Sequence, residues 1–174
     1  DALVAGLSLN IFNKHCDRVK MANIAQLINV LQAVILTDGP RMLRTPTYHV
    51  FHMYKYHQDA DLVESYLDGV ETIGEEEEYM VPSLQESVSI DKEGILTITL
   101  NNLSVDKDEP VEISFAECQT KEVTAAILNN EMHAYNTFED PDKVHEEVFS
   151  NYTVENGMIR FTMPASSVVQ FRVR

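Results

Sequence analysis

Residues 17–30 read DRVKMANIAQLINV, and this stretch decides how the first third of the chain is interpreted. Residues 19–25 are apolar apart from Lys20 and Asn23, and the run stops at a neutral amide, Gln26. Such a short and uniformly apolar run predicts a fully buried parallel strand, with a helix as the alternative. A buried parallel strand needs neighbouring strands that bond its N–H and C=O groups. The flanking sequence offers none, so we expect those strands to lie outside this chain.

The segment before this run predicts an amphipathic helix over residues 1–15. Its apolar residues recur at helical spacing and should form a single covered face. They are Leu3, Val4, Leu7, Ile11 and Phe12. Because the helical pattern is present from the first residue, we expect the chain to be a piece of a longer protein.

The segment after the run predicts a hairpin and then a second helix. Asp38-Gly39 is a turn signal inside an otherwise apolar segment, which indicates a short hairpin. Thr45 offers a hydroxyl N-cap and Pro46 suits the first helical position, so a helix should run from there to about His57. The side chains expected to point inward are Val50, Phe51, Met53 and Tyr54.

Beyond Asp59 the period of the pattern changes to two. Residues 111–115 and 169–173 alternate apolar and polar side chains, the pattern of a strand with one covered face. Turn signals separate such runs at Asp68-Gly69, Glu93-Gly94, Asn101-Asn102, Glu109-Pro110, Asn129-Asn130 and Asn156-Gly157. Many short strands at this spacing predict an antiparallel β-sandwich or barrel. We therefore predict a mainly β chain, with a helix-strand-helix part at residues 1–58 and a β-sandwich domain at residues 59–174.

Composition limits the possible partners. The chain has 174 residues, with 28 acidic against 13 basic side chains and a formal charge of −15, which would repel the phosphates of nucleic acid. Lys20, Asp38 and Arg41 interrupt the most apolar third, so we expect no membrane-spanning helix. Cys16 and Cys118 fit neither a disulfide framework nor a zinc-ligand spacing and indicate two reduced thiols. A cytoplasmic location is favoured.

Pattern alone identifies no catalytic or metal centre. The carboxylates at residues 75–78 and 139–147 do not converge by their spacing and predict solvated loops, with calcium binding as the alternative although no EF-hand spacing is present. His49 and His52 lie one helical turn apart but lack a third ligand at a suitable offset, so we expect neither a metal nor another cofactor.

Gln26 is the one polar group of the opening stretch with an expected part in binding. An amide donates and accepts hydrogen bonds at once, which suits a sugar hydroxyl. It would also end a buried parallel strand, the place where barrel enzymes build their sites. A structural amide with satisfied hydrogen bonds is the alternative.

Four segments carry a family resemblance. Residues 1–39, DALVAGLSLNIFNKHCDRVKMANIAQLINVLQAVILTDG, and residues 45–54, TPTYHVFHMY, resemble the carboxyl-terminal part of the α-L-arabinofuranosidases of glycoside hydrolase family 51. The same family is resembled more loosely by NTFEDPDKV at residues 136–144 and by MPASSVVQFRV at residues 163–173.

The resemblance implies where the missing neighbouring strands of residues 19–25 would come from. Family members combine a (β/α)₈ barrel with a carboxyl-terminal β-sandwich of jelly-roll type. This chain would then hold the last barrel helices, the eighth barrel strand ending at Gln26, and the whole sandwich. The rest of the barrel would be its partner, and a homo-oligomer is expected for the full-length form.

The resemblance also implies an activity: retaining hydrolysis of terminal α-L-arabinofuranosyl groups of arabinan or arabinoxylan oligosaccharides. That reaction needs two glutamates about 5 Å apart. The family carries both on earlier barrel strands, with the acid/base in an Asn-Glu dipeptide. Asn130-Glu131 is the only such dipeptide here and lies in the predicted sandwich. No catalytic residue is therefore assigned to this chain, which we expect to be inactive by itself.

Gln26 corresponds to the glutamine of the family's AQL[VI]NV motif, which contacts the arabinose. Asn29, three residues on, is a further candidate that either faces the sugar or braces the loop. The competing hypothesis is a stand-alone carbohydrate-binding or oligomerisation module built on the sandwich. Such modules usually present aromatic platforms, whereas this chain has no Trp.

Overall fold

The computed structural model describes residues 1–75, 79–116 and 122–174. Its helices are α1 (Ala2–Lys14) and α2 (Pro46–Tyr54), the latter extended by a 3₁₀ turn, Lys55–His57. Its strands are β1 (Ile35–Asp38), β2 (Arg41–Arg44), β3 (Asp61–Val63), β4 (Thr72–Ile73), β5 (Val81–Pro82), β6 (Leu84–Ile90), β7 (Leu96–Asn102), β8 (Glu109–Ile113), β9 (Val123–Asn129), β10 (Glu147–Val148), β11 (Tyr152–Glu155), β12 (Met158–Met163) and β13 (Ser167–Val173).

Two antiparallel sheets form a sandwich, which confirms the predicted mainly β fold. The larger sheet has the strand order β10-β9-β13-β7-β6-β3 and the smaller has the order β11-β12-β8. Side chains from both sheets meet in one apolar core that includes Ile98, Phe161 and Phe171. Phe171 is fully buried and lies edge-on or tilted against the neighbouring aromatic rings. Packing of these rings contributes stability beyond the area that they bury.

Both helices cover the outer face of the larger sheet. Val50 and Met53 of α2 pack with Leu128 and Val168 of the sheet in a second buried cluster. The central strand β13 is therefore buried on both faces, and Gln170 donates its side-chain N–H to the backbone carbonyl of Met53. The prediction of one covered face at residues 169–173 was wrong, because a polar side chain can face the interior when an adjacent backbone group satisfies it.

The contact between α1 and the sheet has a polar centre, beside which Leu3 and Leu9 pack against the second buried cluster. The side-chain Oδ1 of the fully buried Asn10 accepts hydrogen bonds from Tyr54 Oη at 2.9 Å, Ser87 Oγ at 2.8 Å and Thr99 Oγ1 at 2.8 Å. Asn101 Nδ2 in turn donates to Tyr54 Oη at 3.0 Å. Burial raises the pKa of the Tyr54 phenol, so the hydroxyl stays neutral and can act as both donor and acceptor.

The helix α1 forms close to the predicted bounds but presents a different face to the sheet. Its buried residues are Gly6 and Asn10, whereas Val4 is 63% exposed and Ile11 and Phe12 are also exposed. The predicted inward face was therefore wrong for Val4, Ile11 and Phe12, whereas Leu3 and Leu7 are half-buried and Leu3 packs against the second buried cluster. The network around Asn10 places a small residue and an amide at the sheet contact, which leaves Val4, Ile11 and Phe12 in solvent.

Residues 19–25 form neither the predicted parallel strand nor the alternative helix. They are irregular, and most of their side chains are exposed. The physical reason is the lack of neighbouring strands: within the described ranges no strand pairs with this segment. Its backbone groups are therefore left to solvent, and the apolar side chains of this run have nothing to pack against.

The segment after Gln26 follows the predictions closely. β1 and β2 pair across the turn at residues 39–40 as the predicted hairpin. Pro46 occupies the first turn of α2, and Thr45 Oγ1 accepts the Tyr48 N–H. The helix and its 3₁₀ turn end at His57, as predicted.

Two of the predicted turn signals were wrong. Asn101-Asn102 lies inside β7, and Glu109-Pro110 begins β8. Both asparagines are fully buried, and Asn102 Nδ2 donates to the carbonyl of Pro164 at 3.1 Å. Asparagine amides that find backbone partners across the sandwich can replace the apolar residues expected in a central strand. The division between two domains near Asp59 stays a prediction.

Tyr54→Phe should lower the free energy of unfolding by about 1–3 kcal/mol, because the variant leaves Asn101 Nδ2 without an acceptor and removes one donor to Asn10. Urea unfolding of the 174-residue chain measures this effect. Tyr135→Phe is the matched control, since Tyr135 is 67% exposed and should tolerate the change. Equal stability of the two variants would contradict the proposed importance of the network.

His57 should make the fold less stable in mild acid. Burial and the nearby positive charge of Arg172 lower the pKa of His57 to about 4. Its ring lies 2.7 Å from Ser89 Oγ and 3.0 Å from Thr99 Oγ1. Between an unfolded-state pKa of about 6.5 and the folded value, only the unfolded chain binds the extra proton, so stability falls as the pH falls.

The expected loss from His57 between pH 7 and pH 4 is about 2–3 kcal/mol, and it levels off below pH 4, where the folded chain also binds the proton. Urea titrations at several pH values measure how steeply the free energy of unfolding depends on pH, which is the slope compared below. His57→Gln should flatten it, whereas His133→Gln, at an exposed position, should leave it unchanged. A slope that is the same in all three proteins would contradict the assignment.

Candidate functional site

The candidate site is the segment around Gln26. The Gln26 side chain is exposed and has no hydrogen-bond partner among the described residues. A polar amide that is free on the surface can bind a ligand without first breaking an internal hydrogen bond. The structural alternative, an amide satisfied within the chain, is not what the described residues show.

The residues that follow Gln26 are fixed to the first strand of the hairpin. Ile35 N donates to the carbonyl of Leu27 at 3.2 Å, and Asn29 N donates to the carbonyl of Ile35 at 3.2 Å. Ile28 and Ile35 thus form an isolated parallel bridge. The backbone directly after Gln26 is thus held beside β1.

Asn29 braces this arrangement through both ends of its amide. Its Nδ2 donates to Thr37 Oγ1 at 2.8 Å, while its Oδ1 accepts the Thr37 N–H at 2.7 Å. Its backbone has a φ of 53°, a conformation in which asparagine is tolerated better than most residues. The described contacts favour the bracing role of Asn29 over a free sugar-facing amide, and a sugar contact by Asn29 stays a prediction.

The other end of the segment is tied to the start of α2. Thr45 N donates to the carbonyl of Val34 at 3.0 Å, and Thr45 Oγ1 donates to the carbonyl of Ala33 at 2.9 Å. Ala33 and Val34 are buried. One threonine therefore caps the helix and anchors the segment, so that the position of Gln26 follows from a helix packed on the sandwich.

A cavity of about 500 Å³ lies behind this segment, between the beginnings of both helices and the end of the sandwich. Val30 and Ala33 line it from the segment side, and Leu128 and Val168 line it from the sheet. Gln26 does not line it. The cavity is mainly a gap between apolar surfaces.

Two titratable groups away from this segment are engaged in ion pairs. Glu86, the buried carboxylate among the described residues, is paired with Lys14 at 2.6 Å and accepts a hydrogen bond from Ser65. His52 Nδ1 lies 2.7 Å from Glu146 Oε1. Burial lowers the pKa of His49, whose neutral ring lies edge-on to Tyr48.

The predicted loops with clustered carboxylates do not gather a metal site in the part of the chain that the structure describes: no three of its His, Cys, Asp and Glu side chains come together for an ion. Residues 76–78 of the first carboxylate run, and Cys118, lie outside the described residues. In those ranges that are described, no helix is long and apolar enough to cross a bilayer.

Two structural residues were missed from the sequence. Thr37, which holds the segment after Gln26, sits in a hairpin whose pattern indicated only its turn, and Asn10, which holds α1 on the sheet, was not singled out in its helix. Asn10 could have been noticed as an amide at helical spacing from Gly6 and Asn13. Thr37 gives no comparable signal in the sequence.

Fold and segment together define a class: a β-sandwich that carries two helices and an irregular, mostly exposed apolar segment that ends in an exposed amide. A family model described as "Alpha-L-arabinofuranosidase C-terminal domain" matches residues 1–167. The chain belongs to this family of α-L-arabinofuranosidase carboxyl-terminal domains.

Known proteins of this family are similar over the whole chain. An intracellular exo-α-L-arabinofuranosidase from Bacteroides ovatus is 38% identical over 100% of this chain, which covers 34% of that protein. The crystal structure of the GH51 arabinofuranosidase from Xanthomonas axonopodis pv. citri has 37% identity and a TM-score of 0.94, with 100% of this chain and 35% of that chain covered.

Another similar structure has a lower sequence identity to this chain and was solved with a sugar bound. The α-L-arabinofuranosidase from Thermotoga maritima, solved as its arabinose complex, has 26% identity and a TM-score of 0.83 over 99% of this chain and 38% of that chain. The chain thus spans about a third of the length of the relatives that it matches.

Proposed function

We propose that this chain is the carboxyl-terminal portion of a retaining exo-α-L-arabinofuranosidase that removes terminal α-L-arabinofuranosyl groups from arabinan or arabinoxylan oligosaccharides. The observation that carries the proposal is the match of nearly the whole chain to an α-L-arabinofuranosidase carboxyl-terminal domain, and of the whole chain to a protein named as an exo-α-L-arabinofuranosidase.

The exposed state of residues 19–25 supports an incomplete barrel. The apolar side chains of this segment are costly to leave in water, and burying them would also require strands on both sides to pair the backbone. In the proposed enzyme this segment is the eighth strand of a (β/α)₈ barrel, α1 and α2 are barrel helices, and the exposed stripe with Val4, Ile11 and Phe12 is covered. Gln26 then lies at the carboxyl end of the strand, the face at which barrel enzymes bind substrate.

The chain supplies binding rather than bond cleavage. Retaining hydrolysis needs one carboxylate as nucleophile and a second as acid/base, about 5 Å apart. We place both on the preceding part of the enzyme, and we assign to Gln26 a hydrogen bond to an arabinose hydroxyl. Asn29 holds the adjacent backbone and is the weaker candidate for a sugar contact.

We further propose a cytoplasmic location and a homo-oligomeric full-length form. The word "intracellular" in the name of the Bacteroides ovatus relative supports the location. The oligomer rests on the family resemblance alone, and sedimentation of the full-length enzyme tests it.

The proposed function predicts no turnover of an aryl α-L-arabinofuranoside by the purified 174-residue chain, and clear turnover by the full-length enzyme. Release of the aryl leaving group, followed by absorbance, measures both rates. Turnover by the chain alone at the rate of the longer protein would refute the proposal that both cleaving carboxylates lie outside this chain. Tight calorimetric binding of arabino-oligosaccharides to the chain, with an inactive longer protein, would favour a binding module instead.

A further inference from the structure

The loop that contains the sequence NTFED, residues 136–140, joins the sandwich to the β1–β2 hairpin. Asn136 is 7% exposed, and its Nδ2 donates to the carbonyl of Arg44, the last residue of β2, at 2.8 Å. The same amide closes its own loop, because Oδ1 accepts the Val144 N–H at 2.7 Å and Nδ2 donates to the Val144 carbonyl at 2.9 Å. One buried side chain therefore fixes both the loop and the end of the hairpin.

A second contact lies at the tip of the hairpin. The guanidinium of Arg41 lies 4.7 Å from the centre of the Phe138 ring, and its Nη1 lies 3.4 Å from Glu139 Oε1. Arg41 also pairs with Asp38 across the turn. These contacts are exposed and individually weak, but they hold the tip against the same loop that Asn136 holds.

The opposite side of the hairpin holds the segment after Gln26. Ile35 pairs with residues 27–29, and Thr37 bonds both ends of the Asn29 amide. A continuous series of hydrogen bonds thus runs from Asn136 through β2 and β1 to the residue three positions after Gln26. A displacement of the hairpin moves the backbone that carries Gln26.

We infer that the loop at residues 136–140 is a positioning element for substrate binding: Asn136 and Phe138 hold the hairpin, and the hairpin holds Gln26 at the sugar. This inference rests on the proposed function and extends it to a loop of the sandwich. Asn136 and Phe138 touch no reacting atom and act through the backbone of residues 27–29. Neither side chain belongs to the two buried apolar clusters, but Asn136 bonds to Val144 of the second cluster, so Phe138 gives the variant that is further removed from the core.

Asn136→Asp in the 174-residue chain tests whether Asn136 holds residues 27–29 in place through the hairpin. The new carboxylate can still accept the Val144 N–H but loses both donors, and it places negative charge against the Arg44 carbonyl. We expect amide hydrogen exchange at Asn29 and Thr37 to become about tenfold faster while exchange at the core residue Phe171 is unchanged. Unchanged exchange at all three amides, or equal acceleration at all three, would overturn the inference.

Kinetics of the full-length enzyme test the consequence for binding. Asn136→Asp should raise KM for an aryl α-L-arabinofuranoside by about tenfold with little change in kcat, because the cleaving carboxylates lie elsewhere. In a Gln26→Ala background the same change should have no further effect on KM. An unchanged KM, or an effect that persists in full without Gln26, would contradict the positioning role.

Phe138→Ala keeps the inference testable if Asn136→Asp prevents folding. It removes the ring beneath Arg41 at the exposed hairpin tip and should cause a smaller effect of the same kind, about threefold in KM. An unchanged KM and unchanged exchange in this variant would count against the inference. If the unaltered full-length enzyme shows no turnover, the proposed function fails, while the exchange measurements on the chain still decide the structural link.

Discussion

Replacing Gly6 with Ala is expected to lower the free energy of unfolding by about 2–3 kcal/mol, against the gain that alanine normally gives within a helix. A Cβ at this position would lie 2.2 Å from Asn101 Oδ1 and 3.0 Å from Asn101 Cγ. Asn101 is fully buried and bonded to Tyr54, so it cannot move without loss. Either the amide rotates and breaks that bond, or α1 moves away and weakens the three bonds to Asn10.

Urea unfolding of the 174-residue chain measures the effect of Gly6→Ala. Val4→Ala is the control on the opposite, exposed face of α1, where the change meets no packed atom and should be nearly neutral. Adding Asn101→Ala should relieve the clash, so that the double variant loses less stability than the two single changes together. A Gly6→Ala chain that is as stable as the original would contradict the close helix-sheet contact.

Gln26→Ala in the full-length enzyme is expected to reduce kcat/KM for an aryl α-L-arabinofuranoside by about 10- to 100-fold, the range for losing hydrogen bonds to a buried ligand. The same change should leave the stability of the 174-residue chain nearly unaltered, because the Gln26 side chain makes no hydrogen bond among the described residues. The combination of lost activity and retained stability distinguishes a ligand contact from a structural residue.

Two further variants sharpen the test of Gln26. Gln26→Glu keeps an acceptor and loses the donor, so an intermediate loss of kcat/KM would show that the amide N–H contributes. Gln58→Ala changes an exposed glutamine outside the segment and should have no effect. Equal activity of Gln26→Ala and Gln58→Ala would refute the assignment of Gln26.

Local features of this fold could be predicted from the sequence because a few neighbouring residues determine them. Asp38-Gly39 gives the hairpin turn, and Thr45 with Pro46 gives the start of α2. The alternation at residues 111–115 likewise predicts a strand whose one face packs in the core. In each case the energy that decides the structure comes from a short range of the chain.

Features that depend on distant contacts were missed. The burial of Asn101 follows from Tyr54 and Gly6, which lie far from it in sequence, and no local pattern reveals this. Residues 19–25 fail to form a strand because strand formation needs partners, and the described residues provide none. The place of Gln26 after an apolar run suggested a binding amide but left a structural amide as the alternative, and only the family resemblance pointed to arabinose as the proposed ligand.

The most direct measurement is a crystal structure of the full-length enzyme with arabinose bound. It should show residues 19–25 paired as a buried strand and the Gln26 amide within about 3.2 Å of a sugar hydroxyl. Arabinose bound at a site that Gln26 does not reach, or residues 19–25 left unpaired beside a complete barrel, would contradict the account.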